Sequence, residues 1–578
     1  MKRKRNSGWM RLGWVVLCAA IANCSTSATL GIEQTSSIST GEAGSDAPIE
    51  SLPDASTPEG AAPVKIPAFC AQYPRPLPIG GWESTAVFYG SNGKLEYASD
   101  ADGNRIPDFS YAGYGSGAAI PSVPELVYVE GNGGDVDNTF DDTPRIQAAI
   151  DAVAQRPLGA SGFRGAVVLG AGLYRIAGII KLNRDGIVLR GVGHRGDWST
   201  DTVLLAVGGS QSPRIVLGSG VDNGWSDEVP GSRTNIVTPF VSVGARAFEV
   251  ADASGLGAGD NVIVVHPVTN AWLTAVHWGD TGSDPPWTVD VGPITYNRRV
   301  VAKSGNRITL DAPIFNHLDG RLTQSFVFKT YRTNIVSHVG IENLMVDTEY
   351  SLQNVESHPL DAIDIIGAED SFIRDTSTYR FVYAGVRIQN GVRITLSNVE
   401  ARQPLALRSA GRMVNFALDV RAQLVLFSGC RAEGGRHHFE ANGPLSSSGD
   451  VFHRSTSEAL EYEESSGGLR LFSQGLLYDN VEEIGQGKAQ LGCVAEVGLP
   501  AAHGWAAVHS VLWNYHFDRS LGSVEKPPTG QNYAIGAGPF SSPIGTCSNV
   551  VPGFIEQNEG PLRQESLYEA QLCDRLQR

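Results

Sequence analysis

The feature that most constrains the fold is a short apolar run, ended by one polar residue, that recurs through the second half of the chain. Seven such runs can be aligned on the polar residue, and the aligned positions lie 23 to 35 residues apart. These positions are Asn343, Asp375, Asn398, Ser428, Arg454, Asp479 and Asn514. A unit of this length cannot bury its own apolar side chains, so the units must stack to form a core, with the polar residue at a repeated bend. The pattern predicts an all-β, parallel β-helix, because the strands of a β-sandwich recur roughly every 8 to 12 residues.

The N-terminus predicts an export signal at residues 1–24. Four basic residues follow Met1, and the apolar segment after them is too short, and too interrupted by Arg11, to span a membrane. The sequence around Cys24 resembles a bacterial lipoprotein processing site, with plain signal cleavage as the alternative. A Ser/Thr/Gly/Pro-rich linker follows at residues 25–65. We therefore expect an exported protein, either extracellular or anchored to the outer membrane through a lipid on Cys24.

Five cysteines follow the predicted processing site, so at least one is unpaired. Cys493 with Cys547, and Cys70 with a cysteine late in the chain, are candidate bridges, but the connectivity cannot be read from the sequence. Cys430 lies in one of the apolar runs, and we expect it to be a small core residue.

A helix is predicted at residues 141–153, immediately before the first β runs. Thr143 is a suitable N-cap, Pro144 suits the first helical position, and Ile146, Ile150 and Val153 fall on one face. In this position the helix would cap the open end of the solenoid, which we place at residues 66–578.

Residues 235–313 interrupt the repeat with alternating strands and Gly-containing turns, which predicts a small antiparallel insertion. The insertion carries Trp272, Trp278 and Trp287. These tryptophans either form a wall on which sugars stack or pack the insertion onto the β-helix.

Charge indicates the class of partner. The formal net charge of −16 argues against nucleic acid. Residues 401–440, however, contain six arginines and only three acidic residues. A local basic strip in an acidic protein suits an acidic polysaccharide, because the guanidinium fork matches carboxylate or sulfate oxygens.

The strongest local constellation is the run that contains Arg436, His437 and His438, together with His503 and Trp505 two units later. On a strand, Arg436 and His438 would face one way and His437 the other. Stacked units bring such segments within about 10 Å of each other. A lyase that acts on uronates removes the proton beside a carboxylate and expels the glycosidic oxygen. Arginine can neutralise the carboxylate, histidine can act as the base near neutral pH, and Trp505 can offer a sugar platform.

Several segments resemble secreted proteins of the pectate-lyase superfamily. The resemblance is carried by Asp108 to Tyr114, by the Asp-Asp-Thr helix from Asp141, and by the Gly-Leu-Tyr-Arg-Ile strand from Gly172. It implies a right-handed parallel β-helix that acts on polysaccharides. Together with the arginine and histidine chemistry above, we expect a lyase for a uronic-acid polymer.

The resemblance extends to the site. Gly435 to Phe439 and His503 to Ala506 match family segments, but a Pro-His-His-Arg-Trp run of the family is replaced at residues 466–472, where only Arg470 matches. If the missing histidines are the family's catalytic pair, activity is altered or lost. The predicted catalytic residues are His437, His503, Arg436 and Arg470, and the predicted substrate-binding residues are Arg408, Arg412, His438 and Trp505.

Two other functions fit the sequence. A glycoside hydrolase needs paired carboxylates, for which Glu461, Glu463, Glu464 and Asp479 are the candidates. A surface-tethered β-helix can also bind glycan without catalysis. No motif predicts a metal or cofactor, although Asp361, Asp364 and Asp375 would be the candidate ligands for calcium.

Overall fold

The computed structural model describes residues 66–73, 80–131, 139–282, 285–351, 354–408, 411–443, 445–461, 464–494, 503–540, 547 and 550–577. Cys24, the predicted signal and the predicted linker lie outside this part of the chain. Within it, no helix has the length and apolar character needed to cross a membrane.

Strands dominate the structure. The strands before the insertion are β1 (Val87–Tyr89), β2 (Leu95–Tyr97), β3 (Glu125–Val129), β4 (Gly165–Leu169), β5 (Gly172–Ile176), β6 (Ile180–Leu182), β7 (Ile187–Arg190), β8 (Thr202–Ala206) and β9 (Ile215–Leu217). The strands of the insertion are β10 (Thr234–Asn235), β11 (Phe240–Val241), β12 (Ala247–Glu249), β13 (Asn261–His266), β14 (Ile294–Ser304), β15 (Arg307–Leu310), β16 (Leu318–Asp319) and β17 (Phe326–Lys329).

The strands after the insertion carry the stacked units. They are β18 (Val336–Ser337), β19 (Gly340–Thr348), β20 (Asp361–Tyr379), β21 (Ala384–Arg402), β22 (Val414–Leu418), β23 (Ala422–Gln423), β24 (Leu426–Ser428), β25 (Arg431–Glu433), β26 (His437–Ala441), β27 (Val451–His453), β28 (Thr456–Ala459), β29 (Ser465–Gly468), β30 (Ser473–Gln474), β31 (Leu477–Asp479), β32 (Glu482–Gly485), β33 (Lys488–Leu491), β34 (Cys493–Val494), β35 (Gly504–Trp505), β36 (Ala507–Val508), β37 (Val511–Trp513), β38 (His516–Phe517), β39 (Ser523–Lys526), β40 (Tyr533–Ile535), β41 (Val551–Pro552) and β42 (Phe554–Glu556). One sheet joins 28 of the described strands, and its successive units pair in parallel.

The repeated polar positions are bends of the β-helix. Asn343, Asp375, Asn398, Arg454 and Asn514 have left-handed backbone conformations, which Asn and Asp tolerate better than most residues. At the other two bends the left-handed residue is the next one along the chain, Gly429 or Asn480. Side chains of successive bends are joined in a ladder, since Asn398 Nδ2 donates to Asp375 Oδ1 at 2.8 Å and Asn514 Nδ2 to Asn480 Oδ1 at 2.7 Å. The predicted β-helix is confirmed.

Aromatic side chains stack through the core in the direction of the solenoid axis. The ring of Phe452 lies 4.8 Å from that of Phe427 and 4.5 Å from that of Tyr478, and both pairs are nearly parallel. All three residues are buried. Each unit therefore covers the apolar surface of the unit before it, which is the main source of stability in a solenoid.

The capping helix α1 (Thr143–Ala154) is confirmed, and its buried face holds Ile146, Ile150 and Val153 as predicted. The predicted N-cap is wrong by one residue, because Asp142 occupies that position. The hydroxyl of Thr143 instead accepts a hydrogen bond from the Gly178 backbone N–H. Two further helices are α2 (Asn270–Ala275) and α3 (Leu567–Leu576), and short 3₁₀ turns lie at Ala68–Gln72, His277–Gly279 and Val289–Val291.

The antiparallel insertion extends further than the sequence indicated. Its six-stranded sheet, in the order β10-β17-β13-β14-β15-β12, runs to Lys329, because β17 returns to pair with β13 and β10. Trp272 and Trp287 are buried against Phe472 of the β-helix, with ring centroids 5.8 and 6.1 Å away. These two tryptophans therefore pack the insertion onto the β-helix, whereas Trp278 is 39% exposed.

The disulfides settle what the sequence left open. Cys70 is bonded to Cys573, which joins the N-terminal segment to α3, and Cys493 is bonded to Cys547. Cys430 is a buried free thiol, as expected of a core residue. The first bridge encloses nearly the whole solenoid and thereby restricts the unfolded chain.

Candidate functional site

Three of the predicted site residues, Arg412, Arg470 and His503, line one cleft of about 450 Å³. We call it the Arg470 cleft. The cleft is also lined by Tyr383, Arg387, Gln389, Asp419, Asn442 and Leu469.

The cleft is built by the stacking of four units. Ile388 pairs with Leu418, Leu418 with Ala441, and Ala441 with Gly468 in the parallel register. The residues that follow these four are Gln389, Asp419, Asn442 and Leu469, and all four line the cleft. Side chains that are 23 to 30 residues apart in sequence are thus neighbours at one position of successive units.

The acid in the cleft is already bonded. Arg387 Nε donates to Asp419 Oδ2 at 2.6 Å, and the Tyr383 hydroxyl donates to Asp419 Oδ1 at 3.2 Å. Arg387 Nη1 also lies 3.8 Å from Asp361 Oδ2. Asp419 therefore serves to hold Arg387 and Tyr383 in place.

The guanidiniums of Arg412 and Arg470, which also line the cleft, differ in their partners. Arg412 Nη1 lies 2.5 Å from Glu356 Oε2. Arg470 Nε donates to Asn442 Oδ1 at 2.6 Å, and within the described part of the chain no carboxylate lies within ion-pair distance of Arg470. The Arg470 side chain is also exposed. It is therefore the cation in the cleft best able to accept an anionic ligand.

Burial and nearby charge fix the protonation of the Tyr383 phenol. Burial, together with the negative charges of Asp419 and Glu440, raises the pKa of Tyr383 far above its usual value. Burial lowers the pKa of Arg387, but Asp419 and Asp361 outweigh it and raise that pKa. At neutral pH the cleft thus holds a phenolic O–H donor and charged guanidiniums.

His437 lies beside the cleft rather than in it. It is 5% exposed and lines a separate cavity of about 20 Å³ that shares Leu469 with the Arg470 cleft. Its Nδ1 is 3.2 Å from Ser465 Oγ and 3.2 Å from Glu440 Oε2. Burial, with the charges of Arg436, His438, Lys488 and His503, lowers the pKa of His437 well below its usual value. The imidazole of His437 is therefore neutral and could act as a base. The cavity that it lines, however, is too small to admit a sugar ring.

His438 is part of the interior, so the substrate-binding role predicted for it is wrong. The ring is 0% exposed, with Nε2 3.3 Å from Glu464 Oε2 and Nδ1 3.7 Å from Glu483 Oε1. Burial lowers the pKa of His438, but contacts with the two glutamates raise it to about 9. His438 is therefore a buried ion-pair partner that a polymer cannot reach.

Two other predicted contacts are also withdrawn from solvent. Trp505 is 2% exposed, since β35 and β34 form a ribbon packed beside the insertion, so its indole offers no platform to a sugar. Arg436 is buried as well and does not line the Arg470 cleft. Arg408 is ion-paired with Glu461 and Glu464, at 3.2 and 3.5 Å.

The arginine strip of residues 401–440 is not a free cationic surface. At least five of its six arginines form ion pairs with carboxylates of the described residues: Arg402, Arg408, Arg412, Arg421 and Arg431. The expectation of a local basic strip that binds an acidic polymer is therefore wrong for most of these arginines, because acids from other units neutralise them.

The carboxylates predicted for a hydrolase do not converge. Asp479 is buried and accepts hydrogen bonds from Ser566 Oγ at 2.6 Å and from the Tyr568 N–H at 2.8 Å. Glu464 is buried against His438, and Glu461 is exposed beside Arg408. Glu463 lies outside the described residues.

The three aspartates considered as calcium ligands also lie in different places. Asp361 and Asp364 are buried near Arg387, whereas Asp375 accepts a hydrogen bond from Asn398 at a bend. Among the described residues, no group of three acidic, histidine or cysteine side chains is placed to hold a metal ion.

Sequence reasoning missed Tyr383, Arg387 and Asp419. The signal that could have found Asp419 is its place directly after an apolar run, the same place that Asn442 occupies one unit later. Tyr383 and Arg387 lie near the start of β21, where nothing in the local sequence marks them.

Known proteins resemble this chain in fold only. No protein-family model and no curated protein matches its sequence. Among solved structures, the tailspike gp49 from Pseudomonas phage LKA1 has 13% identity and a TM-score of 0.39, with 68% of this chain and 63% of the tailspike covered. An alginate lyase from Paenibacillus sp. has 10% identity and a TM-score of 0.32, with 72% and 96% covered. The A-module of a mannuronan C-5 epimerase from Azotobacter vinelandii has 10% identity and a TM-score of 0.29, with 74% and 96% covered.

Proposed function

We propose that this protein is a lyase that cleaves a uronic-acid polysaccharide by β-elimination in the Arg470 cleft. The observation that carries the proposal is the convergence of three guanidiniums, an imidazole and a phenol in one cleft. Asp419, the one carboxylate among the described lining residues, is already bonded to Arg387 and Tyr383. Such a cleft favours an anionic sugar over a neutral one.

The chemistry assigns a role to each group. Arg470, with Arg412 in the same cleft, binds the substrate carboxylate and draws charge from it, which acidifies the neighbouring C–H. His503 removes that proton. A carbon–carbon double bond then forms, the bond to the glycosidic oxygen breaks, and Tyr383 donates its proton to the leaving oxygen. The raised pKa of Tyr383 suits a donor, since the phenol keeps its proton at neutral pH.

The test is a substrate panel. The protein is incubated with pectate, alginate, a glycosaminoglycan and a sulfated algal glycan, while the absorbance of unsaturated uronate and the appearance of reducing ends are both followed. Elimination produces both signals. His503→Ala should lose activity, whereas His516→Ala, which removes an exposed histidine on β38, should keep it. Full activity in His503→Ala would refute the assignment of the base.

Hydrolysis is the second candidate, favoured by Asp361 and Asp364 near Arg387. Burial raises the pKa of Asp364 to about 6, so this carboxyl can hold a proton in mild acid as a general acid does. Both aspartates are buried, and neither lines the cleft. Reducing ends without absorbance would favour this function, and retention on a glycan without either signal would favour a binding protein.

An export signal and a lipid on Cys24 complete the proposal. Their support is the sequence of residues 1–24 alone. Radiolabelled palmitate incorporation by the wild type but not by Cys24→Ser would test the lipid anchor.

A further inference from the structure

A second cleft, of about 680 Å³, lies between the N-terminal segment and the insertion. Three arginines, Arg105, Arg246 and Arg307, and two tyrosines, Tyr97 and Tyr111, line it. We call it the Arg105 cleft. It shares no lining residue with the Arg470 cleft.

Two of its guanidiniums are held on aromatic rings. The guanidinium carbon of Arg105 lies 4.6 Å from the ring centroid of Tyr97, and that of Arg246 lies 5.0 Å from the centroid of Tyr111. Arg246 Nε also donates to the Leu310 carbonyl at 2.9 Å. Because stacking fixes the plane of a guanidinium, little side-chain entropy is lost when its N–H groups bind an anion.

The backbone leaves room for this arrangement. Gly244 has a φ of 85°, and a Cβ at this position would lie 3.2 Å from Arg105 Nε. A larger residue at Gly244 would therefore be strained and would press on the stacked arginine. The turn before β12 thus suits the placement of Arg105.

The charges of the cleft favour an anion. Within the described part of the chain, no carboxylate is within ion-pair distance of Arg105, and Arg307 Nη1 lies 3.9 Å from Glu249 Oε1, with both side chains about half exposed. An ion pair this long and this exposed holds its arginine weakly. Glu96 and Asp108 also line the cleft. Three cations and two acids suit a polymer whose acidic groups are spaced along its chain.

We propose that the Arg105 cleft is a second, non-catalytic binding site for the carboxylate or sulfate groups of an acidic polysaccharide. This site does not depend on the elimination chemistry of the Arg470 cleft. It would hold the polymer to the protein whether or not the polymer is cleaved.

The test is affinity electrophoresis of the intact protein in gels that contain alginate, dextran sulfate or neutral dextran. Arg105→Gln/Arg307→Gln removes two charges and leaves Arg246, which supports the backbone. The control, Arg233→Gln/Arg519→Gln, removes two exposed arginines that are ion-paired with Glu228 and Asp518. We expect the first variant to bind an acidic polymer about tenfold more weakly, since each exposed charge contact contributes about threefold, and the control to change less than twofold.

The two acidic gels show which group is bound, because alginate carries carboxylates and dextran sulfate carries sulfates. The proposal would be overturned if both double variants lost the same binding affinity, or if Arg105→Gln/Arg307→Gln lost none. It would also be overturned if neutral dextran retarded the wild type as strongly as the acidic polymers do. Binding lost in Arg470→Gln alone would also overturn it, since all retention would then belong to the first cleft. Where Arg105→Gln lowers the Tm, Arg307→Gln with Arg105→Lys is used instead, and binding is expected to weaken while the Tm stays at that of the wild type.

Discussion

Arg470 offers the sharpest test of the Arg470 cleft, because its role in binding differs from its role in the fold. Within the described residues, the exposed side chain makes one hydrogen bond, from Nε to Asn442 Oδ1. Arg470→Gln should therefore change the free energy of unfolding by no more than about 0.5 kcal/mol. In the complex, the guanidinium would make a charge-assisted fork with the substrate carboxylate, which contributes about 1.5–3 kcal/mol. The expected loss in kcat/KM is thus about 10- to 150-fold.

The assay follows the initial rate of absorbance increase on the preferred acidic polymer, with Tm measured in parallel. Arg470→Lys keeps the charge but lacks the fork, so its rate should fall between those of the wild type and Arg470→Gln. Arg519→Gln is the control, because Arg519 is exposed and paired with Asp518.

Methyl-esterified substrate provides a second comparison. Esterification removes the carboxylate charge, so the wild type should slow down and the difference between the wild type and Arg470→Gln should shrink. The reasoning is wrong if Arg470→Gln keeps more than half of the wild-type activity. It is also wrong if the substitution lowers the activity by the same factor on charged and esterified polymer. For a protein that binds without cleaving, the same comparison is made with dissociation constants.

Three further predictions follow from the structure. Tyr383→Phe removes the proton donor but keeps the ring, so kcat should fall about 10²- to 10⁴-fold with little change in KM, and a change confined to KM would contradict the acid role. Phe452→Ala opens a cavity in the aromatic stack and should lower the free energy of unfolding by about 3–5 kcal/mol, as measured by denaturant titration. Burial holds His266, His317 and His509 neutral by lowering their pKa values, that of His266 to about 3, whereas the unfolded chain takes up these protons near pH 6.5. Stability is then complete above about pH 6.5 and is lost as the pH falls toward the lowered pKa values, so Tm should drop between pH 7 and pH 5, and a flat Tm would refute this interpretation.

His437 and His438 also show why the role of a residue cannot be inferred from its type. His437 and His438 are adjacent, yet the pKa of one is well below the usual value and the pKa of the other is raised to about 9. Burial lowers the pKa of both rings, but contacts with Glu464 and Glu483 outweigh it at His438, whereas nearby positive charges add to it at His437. Strand alternation predicted that the two rings face opposite ways, but the acids that surround His438 come from later units.

What the sequence by itself determined is the repeat. Apolar runs, bend residues, the face of α1 and the strands of the insertion are local patterns, and local patterns follow from the geometry of single strands and helices. The ladder at Asn398 and Asn514 is the clearest case, because a polar residue after each run already indicates a bend.

Only the tertiary structure decided which residues share a cleft. Turns of unequal length separate the units, so the register that places Gln389, Asp419 and Asn442 side by side cannot be counted along the chain. Likewise, the insertion packs over the segment that carries Trp505, and acids from distant units pair with the arginine strip. Exposure and ion pairing depend on what lies across the fold, and that information is not local to any segment.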